Sequence, residues 1–141
     1  AMNDYTIQLV NESFDLVEPM APQAAALFRE NLVQAAPTLH TLLHSEAGEP
    51  GEQLVLAMGQ ALRQLQAPDD LLPAVQGLGR RHAGLMGLRD EDYEAVGGAL
   101  LKTLEQGLGP AFDDETRAAW IDVYSAMAGA MKQVSRGASA A

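Results

Sequence analysis

Residues 90–104 of this 141-residue chain read DEDYEAVGGALLKTL, and the stretch predicts a long amphipathic α-helix. It opens on three acidic residues, which the positive end of the helix dipole favours. Apolar side chains then recur every three or four positions, the spacing of one helix face, at Tyr93, Val96, Leu100, Leu101 and Leu104. The helix is expected to end at Gly107-Leu108-Gly109-Pro110, because glycine and proline end helices.

The same periodicity predicts five further main helices and one short helix along the rest of the chain. Their apolar stretches are Ile7 to Val17, Ala25 to Val33, Leu39 to Leu43 (the short helix), Leu54 to Leu65, Leu71 to His82, and Trp120 to Met131. The stripe of the second helix is expected to consist of Ala25, Phe28, Leu32 and Val33. No strand or repeat is found. Helices of unequal length with corners at proline and glycine favour an irregular all-α fold over a four-helix bundle.

Composition limits the possible functions. Apolar residues make up 48% of the chain and aromatic residues only 5%, which is typical of helical proteins. The net charge of −10 argues against a nucleic-acid partner and against docking on an anionic membrane. Without cysteine there are no disulfides and no thiolate metal ligands. We expect one cytoplasmic domain over residues 1–134, without a membrane span, followed by a disordered tail over residues 135–141.

His82 is the candidate metal ligand, in the run Leu78-Gly79-Arg80-Arg81-His82-Ala83-Gly84. A neutral imidazole that reaches an apolar interior needs a partner, because its nitrogens lose their water. Iron is such a partner, since imidazole is a suitable ligand for it. The second ring nitrogen also needs an acceptor, and the carbonyl of Leu78, four residues earlier, is within reach on a helix. The alternative is a histidine without metal on a helix surface.

Several motifs resemble those of bacterial single-domain haemoglobins and of the globin domain of flavohaemoglobins. They are Leu71-Leu72-Pro73-Ala74-Val75, Arg81-His82, Asp90-Glu91-Asp92-Tyr93, Val96-Gly97, Leu100-Leu101-Lys102-Thr103-Leu104, and Ala119-Trp120 followed by Tyr124, with Phe28, Pro37 and Leu39 in the first half. The resemblance implies an all-α, globin-like fold around a haem pocket and haem b as cofactor. It makes His82 the proximal ligand of the iron and Tyr93 a hydrogen-bonding neighbour of that ligand.

The resemblance also implies which residues surround the haem. The expected apolar lining comprises Phe28, Leu43, Leu54, Met58, Leu78, Leu85, Met86, Leu88, Val96 and Met127. Arg81, or its neighbour Arg80, is expected to meet a haem propionate. Trp120 and Tyr124 are expected to belong to the core, with a redox role as the alternative.

The distal side departs from the family pattern. Arg29 stands where flavohaemoglobins place a tyrosine, and Leu43 stands where globins carry phenylalanine. Pro50 falls at the position of the usual distal glutamine or histidine, so Gln53 becomes the nearest donor, beside Leu54. Arg29 either donates to a bound ligand or extends to solvent, and Gln53 is either a donor or a surface residue. His40 and His44 are expected in solvent, with His44 as a sixth iron ligand the alternative.

By resemblance the chain binds O2, CO or NO, and NO detoxification or weak peroxidase activity is implied only with an external reductase. The alternative is a globin-based sensor or interaction module with altered or lost haem binding. No catalytic side chain is assigned, because no nucleophile–base pair, phosphate loop or paired carboxylates stand out. A monomer or weak homodimer is expected.

Overall fold

A computed structural model describes residues 3–37, 59–81 and 89–140, with their side chains except those of residues 68, 78–81 and 134–140. In these ranges all regular secondary structure is helical. The α-helices are α1 (Asp4–Val17), α2 (Ala21–Ala35), α3 (residues 59–64), α4 (Leu71–Arg81), α5 (Asp90–Leu108) and α6 (Asp114–Ala140). Three short 3-10 helices cover Glu18–Met20, Pro68–Asp70 and Gly109–Ala111. The predicted all-α fold is confirmed, and the predicted short helix at 39–43 lies outside the described residues.

The helices begin and end where the sequence places capping polar residues, glycine and proline. Asn3 accepts a hydrogen bond from the backbone N–H of Thr6 at 2.9 Å and so caps α1. Asp113 caps α6 in the same way, accepting from Thr116 N–H at 2.8 Å. Each cap satisfies a backbone donor that has no partner inside its helix. Gly109 ends α5 with φ at +56°, a conformation that favours glycine, as the predicted break at 107–110 requires.

The main core lies between α1, α2, α5 and α6, and Trp120 is its largest fully buried side chain. Only 2% of Trp120 is exposed, and its indole Nε1–H donates to the hydroxyl of Ser13 at 2.7 Å. The ring of Phe14 packs against it with centroids 6.4 Å apart. Trp120 and Val123 are buried, as the sequence predicts, whereas Tyr124 and Met127 are only partly buried.

Helix α2 packs on α5 through an apolar face that contains one polar residue. Asn31 is buried, and its Nδ2 donates to Thr103 Oγ1 at 3.0 Å and to Gln106 Oε1 at 2.9 Å. The expectation for Val33 is wrong, because this residue is 37% exposed. The buried face of α2 contains Ala24, Ala25, Phe28, Asn31 and Leu32. A residue directly after Leu32 is turned about 100° away from that face.

A smaller core cluster joins α4, α5 and α6. Its buried members are Val75, Tyr93 and Met131, one from each helix. Leu71 and Met127 are partly buried and pack against both this cluster and the main core. The cluster therefore fixes the first turn of α5 against the helix that ends at Arg81, the residue before His82.

Helix α6 continues to Ala140, so the backbone of residues 135–140 is helical where the sequence predicts a disordered tail. This segment contains no proline and three residues with good helix propensity, two alanines and an arginine, so extending an established helix costs little. In the described part of the chain, no helix has both the length and the apolar character needed to cross a lipid bilayer.

Candidate functional site

Of the predicted pocket residues, the side chains of five are described. Tyr93 and Phe28 are buried, at 7% and 4% exposure, while Val96, Met127 and Arg29 are partly buried. Tyr93 belongs to the smaller core cluster, and Met127 packs against it. Phe28 is buried in the main core, and Val96 and Met127 pack against that core. Four of the five predicted residues thus lie in the interior of the protein. These four residues come from α2, α5 and α6 and belong to, or pack against, the two core clusters.

The remaining predicted pocket residues are not described at the level of side chains. His82 lies outside the described residues, as do Leu43, Pro50, Gln53, Leu54, Met58, Leu85, Met86 and Leu88. His40 and His44 lie there too. Leu78 and Arg81 have a described backbone, in the last turns of α4. Among the described residues, no group of three or more potential metal-ligating His, Cys, Asp or Glu side chains occurs.

Tyr93 is held at its backbone by a second tyrosine. The phenol of Tyr124 on α6 donates a 2.6 Å hydrogen bond to the backbone carbonyl of Tyr93. Burial raises the pKa of the Tyr93 phenol, and the negative charge of Asp90 raises it further. Burial also raises the pKa of Tyr124, and Tyr93 adds to that shift. Both phenols are therefore neutral at neutral pH, and that of Tyr124 can act as a donor.

Gly97 makes the close approach of Tyr124 possible. A Cβ atom at position 97 would lie 2.7 Å from Cε2 of Tyr124 and 3.2 Å from Cδ2. A contact of 2.7 Å is too short for two carbon atoms, so any side chain at 97 would displace the Tyr124 ring. In the sequence the Val96-Gly97 motif is only part of the resemblance. The contact with Tyr124 gives a steric reason for glycine at position 97. The spacing of residues in the sequence predicts neither the need for glycine at position 97 nor the role of Tyr124 as a hydrogen-bond donor.

We expect Gly97→Ala to lower the free energy of unfolding by about 1–3 kcal/mol, because the added methyl overpacks the contact with Tyr124. Gly98→Ala is the matched control. A Cβ at position 98 meets nothing within 4 Å, so we expect a gain of about 0.5–1 kcal/mol from helix propensity. Urea unfolding of both variants, followed by circular dichroism, measures the difference. Equal stability of the two variants would contradict the steric role of Gly97.

Lys132 on α6 is a residue of the site that the sequence analysis does not predict. Its ammonium Nζ lies 5.3 Å from the centroid of the Tyr93 ring. The same Nζ lies 3.4 Å from a carboxylate oxygen of Asp90, in the first turn of α5. The side chain of Lys132 is 30% exposed. The contact joins residues that are far apart in sequence, and no motif or periodicity in the chain indicates it.

Comparison with known proteins agrees with this architecture. The family model for globins matches residues 22–131. A protein named flavohemoprotein from Rhizobium meliloti is 30% identical over 130 residues, which are 85% of this chain and 32% of the relative. The flavohemoprotein of Chromobacterium violaceum is 24% identical over 139 residues, 96% of this chain and 34% of the relative. The chain thus spans about a third of the length of these two relatives.

Proposed function

The chain belongs to the globin family, and from this we propose that it is a haem-b protein that binds diatomic gases at an iron held by His82. The observation that carries the proposal is the family match over residues 22–131, which includes His82 and the predicted pocket residues from Phe28 to Met127. When bound, haem supplies an iron centre that takes up O2, CO or NO. The residues of this chain supply the axial ligand, the apolar lining and the polar groups around it.

The described side chains are of the types that line apolar cofactor pockets. Phe28, Tyr93, Val96 and Met127 supply aromatic, branched and thioether groups from three helices. Cofactor pockets consist mainly of such groups with few polar ones. In the described part of the chain, no buried side-chain nitrogen or oxygen atom lacks a hydrogen-bond partner. The described lining therefore contains no polar group that needs the cofactor as its hydrogen-bond partner. The polar contacts of the haem would come from His82 and from the arginine that meets a propionate.

Helical periodicity supports the assignment of His82. Val75 on α4 is fully buried in the cluster with Tyr93 and Met131, so its face of α4 is the inward one. Position 82 is seven residues further on, two helical turns, and such a position shares the face of Val75 in a continuing helix. The carbonyl of Leu78 is the proposed acceptor for the second imidazole N–H, which would fix the tautomer and orientation of the ring.

On the distal side we propose that Arg29 or Gln53, rather than a tyrosine, is the donor nearest to a bound gas. Arg29 is partly exposed on α2, directly after the buried Phe28. A guanidinium is always charged, so it is a costly group to bury beside an apolar cofactor. NO detoxification or peroxidase chemistry would in addition require electrons from a reductase, and we propose such a protein as the partner.

The second candidate function is a sensor or interaction module that binds haem weakly or not at all. The observation that favours it is the partly exposed Arg29 at the position where the family pattern has tyrosine. The two candidates differ in one measurable property. A gas-binding protein holds haem stoichiometrically, whereas the module does not.

Absorption spectra of the purified chain test the proposal. We expect titration with haem to give an intense Soret band with an end point at one haem per chain. The band should shift on reduction and again on addition of CO, because ferrous haem iron binds CO. Haem added to buffer without protein serves as the baseline. A titration without an end point, or a ferrous spectrum unchanged by CO, would contradict the gas-binding function.

A further inference from the structure

Three residues form a contact between the start of α5 and the later part of α6: Asp90, Tyr93 and Lys132. Lys132 is partly buried, and its Nζ lies over the Tyr93 ring while also pairing with Asp90. Asp90 and Tyr93 are three residues apart on α5, the spacing of neighbours on a helix surface. One ammonium group therefore contacts both side chains and holds the first turn of α5 against α6.

The contact with the ring is the important part of this arrangement. Asp90 is 73% exposed, and an ion pair with so exposed a partner contributes little on its own. The Tyr93 ring, in contrast, is buried, so the attraction between the ammonium and the face of the ring is less screened by water. Asp90 then acts by restricting the position of the Lys132 ammonium, which is at the end of a flexible side chain.

Besides its apolar packing, helix α6 contacts Tyr93 through the polar groups of Tyr124 and Lys132. The Tyr124 phenol holds its backbone carbonyl, and the Lys132 ammonium lies over its ring. Because the ring is buried and the ammonium lies over its face, rotation of the ring is restricted. Its ring can therefore present one fixed surface to the pocket.

We propose that Lys132 is a positioning residue that fixes the ring of Tyr93 on the proximal side of the haem. The inference rests on the proposed function, which places Tyr93 beside His82. It has two consequences. A fixed Tyr93 keeps the proximal lining closed and slows the loss of haem. The positive charge beside the ring disfavours the oxidised, more positive state of the iron and so raises its reduction potential.

The test compares Lys132→Met, Lys132→Arg and Lys102→Met with the unchanged chain. Methionine keeps a long apolar side chain but removes the charge, whereas arginine keeps the charge and stacks well on rings. Lys102 is exposed on α5, nine residues or about 13 Å beyond Tyr93, so its removal changes the net charge equally. The measurements are the rate of haem transfer to excess apomyoglobin, the reduction potential by spectroelectrochemistry, and the near-ultraviolet circular dichroism of the haem-free chain.

For Lys132→Met we expect haem loss about two- to fivefold faster, as the strength of a partly exposed cation–π contact implies. We also expect a downward shift of the reduction potential and a changed tyrosine band in the haem-free chain. Lys132→Arg should restore all three properties, and Lys102→Met should match the unchanged chain. Asp90→Asn should shift the rate of haem loss and the tyrosine band in the same direction as Lys132→Met but by less, and it should not lower the reduction potential, because it removes a negative charge.

Two results would overturn the inference while leaving the proposed function intact. One is identical behaviour of Lys132→Met and Lys102→Met. The other is faster haem loss in Lys132→Met with an unchanged potential and an unchanged tyrosine band, which would indicate general loosening. A failure of the proposed function looks different, because then the unchanged chain itself takes up no haem, and the inference falls with it.

Discussion

Replacing Trp120 by alanine should lower the free energy of unfolding by about 3–5 kcal/mol, the largest effect on stability that we expect from a single substitution in the described core. Trp120 is the largest fully buried side chain among the described residues, and it packs against Phe14 on α1. Its removal leaves a cavity between α1 and α6. It also removes the indole donor from the buried Ser13 hydroxyl, which keeps only its own hydrogen bond to the Val10 carbonyl.

Urea unfolding followed by circular dichroism measures this loss. Ile121→Ala is the matched control, because Ile121 is the next residue on the same helix and is 43% exposed. We expect it to cost less than about 1 kcal/mol. Trp120→Phe should fall between the two, since it keeps much of the apolar volume but not the donor. If Trp120→Ala were no less stable than Ile121→Ala, the described packing of α1 on α6 would be wrong.

Replacing His82 by alanine should abolish the Soret band of the haem-loaded chain or reduce it to the level of nonspecific uptake. Under the proposed function His82 supplies the bond between protein and iron, and methyl cannot replace an imidazole nitrogen. His40→Ala and His44→Ala are the matched controls, because with His82 they comprise all three histidines of the chain. Both control variants should keep the Soret band and its shift with CO. The measurement is the haem titration followed by absorbance.

One outcome would contradict this assignment, and another would add a second ligand to it. An unchanged spectrum in His82→Ala would make this histidine incidental to haem binding. A His44→Ala variant whose ferrous spectrum differs from that of the unchanged chain would instead favour His44 as a sixth ligand. Circular dichroism of each variant, recorded without haem, separates loss of a ligand from loss of the fold.

Much of the fold follows from local sequence signals. The acidic start at Asp90 and the glycine–proline end at residues 107–110 fixed the predicted helix to within a few residues of the observed α5. Caps, proline and glycine act through nearby backbone groups, so they are readable in one sequence. The burial of Val75, Tyr93 and Trp120 likewise follows from helical periodicity.

The errors and omissions concern contacts between distant residues. Asn31 is buried because Thr103 and Gln106 satisfy its amide, and nothing near Asn31 in the sequence indicates those partners. The apolar pattern therefore predicts an inward position for Val33, which is exposed. Lys132 was overlooked for the same reason, since its charge indicates a surface residue until Tyr93 and Asp90 are seen beside it. The assignments of His82, Gln53 and the other residues outside the described ranges stay predictions.

The most direct test of the central claim is the absorption spectrum of His82→Gly with haem, titrated with free imidazole. If His82 is the axial ligand, glycine leaves space that a free imidazole can fill. We then expect a weak Soret band without imidazole, and a saturable return of the ferrous spectrum of the unchanged chain and of its CO shift as imidazole is added. A His82→Gly chain that binds haem as the unchanged chain does, with no response to imidazole, would contradict the account.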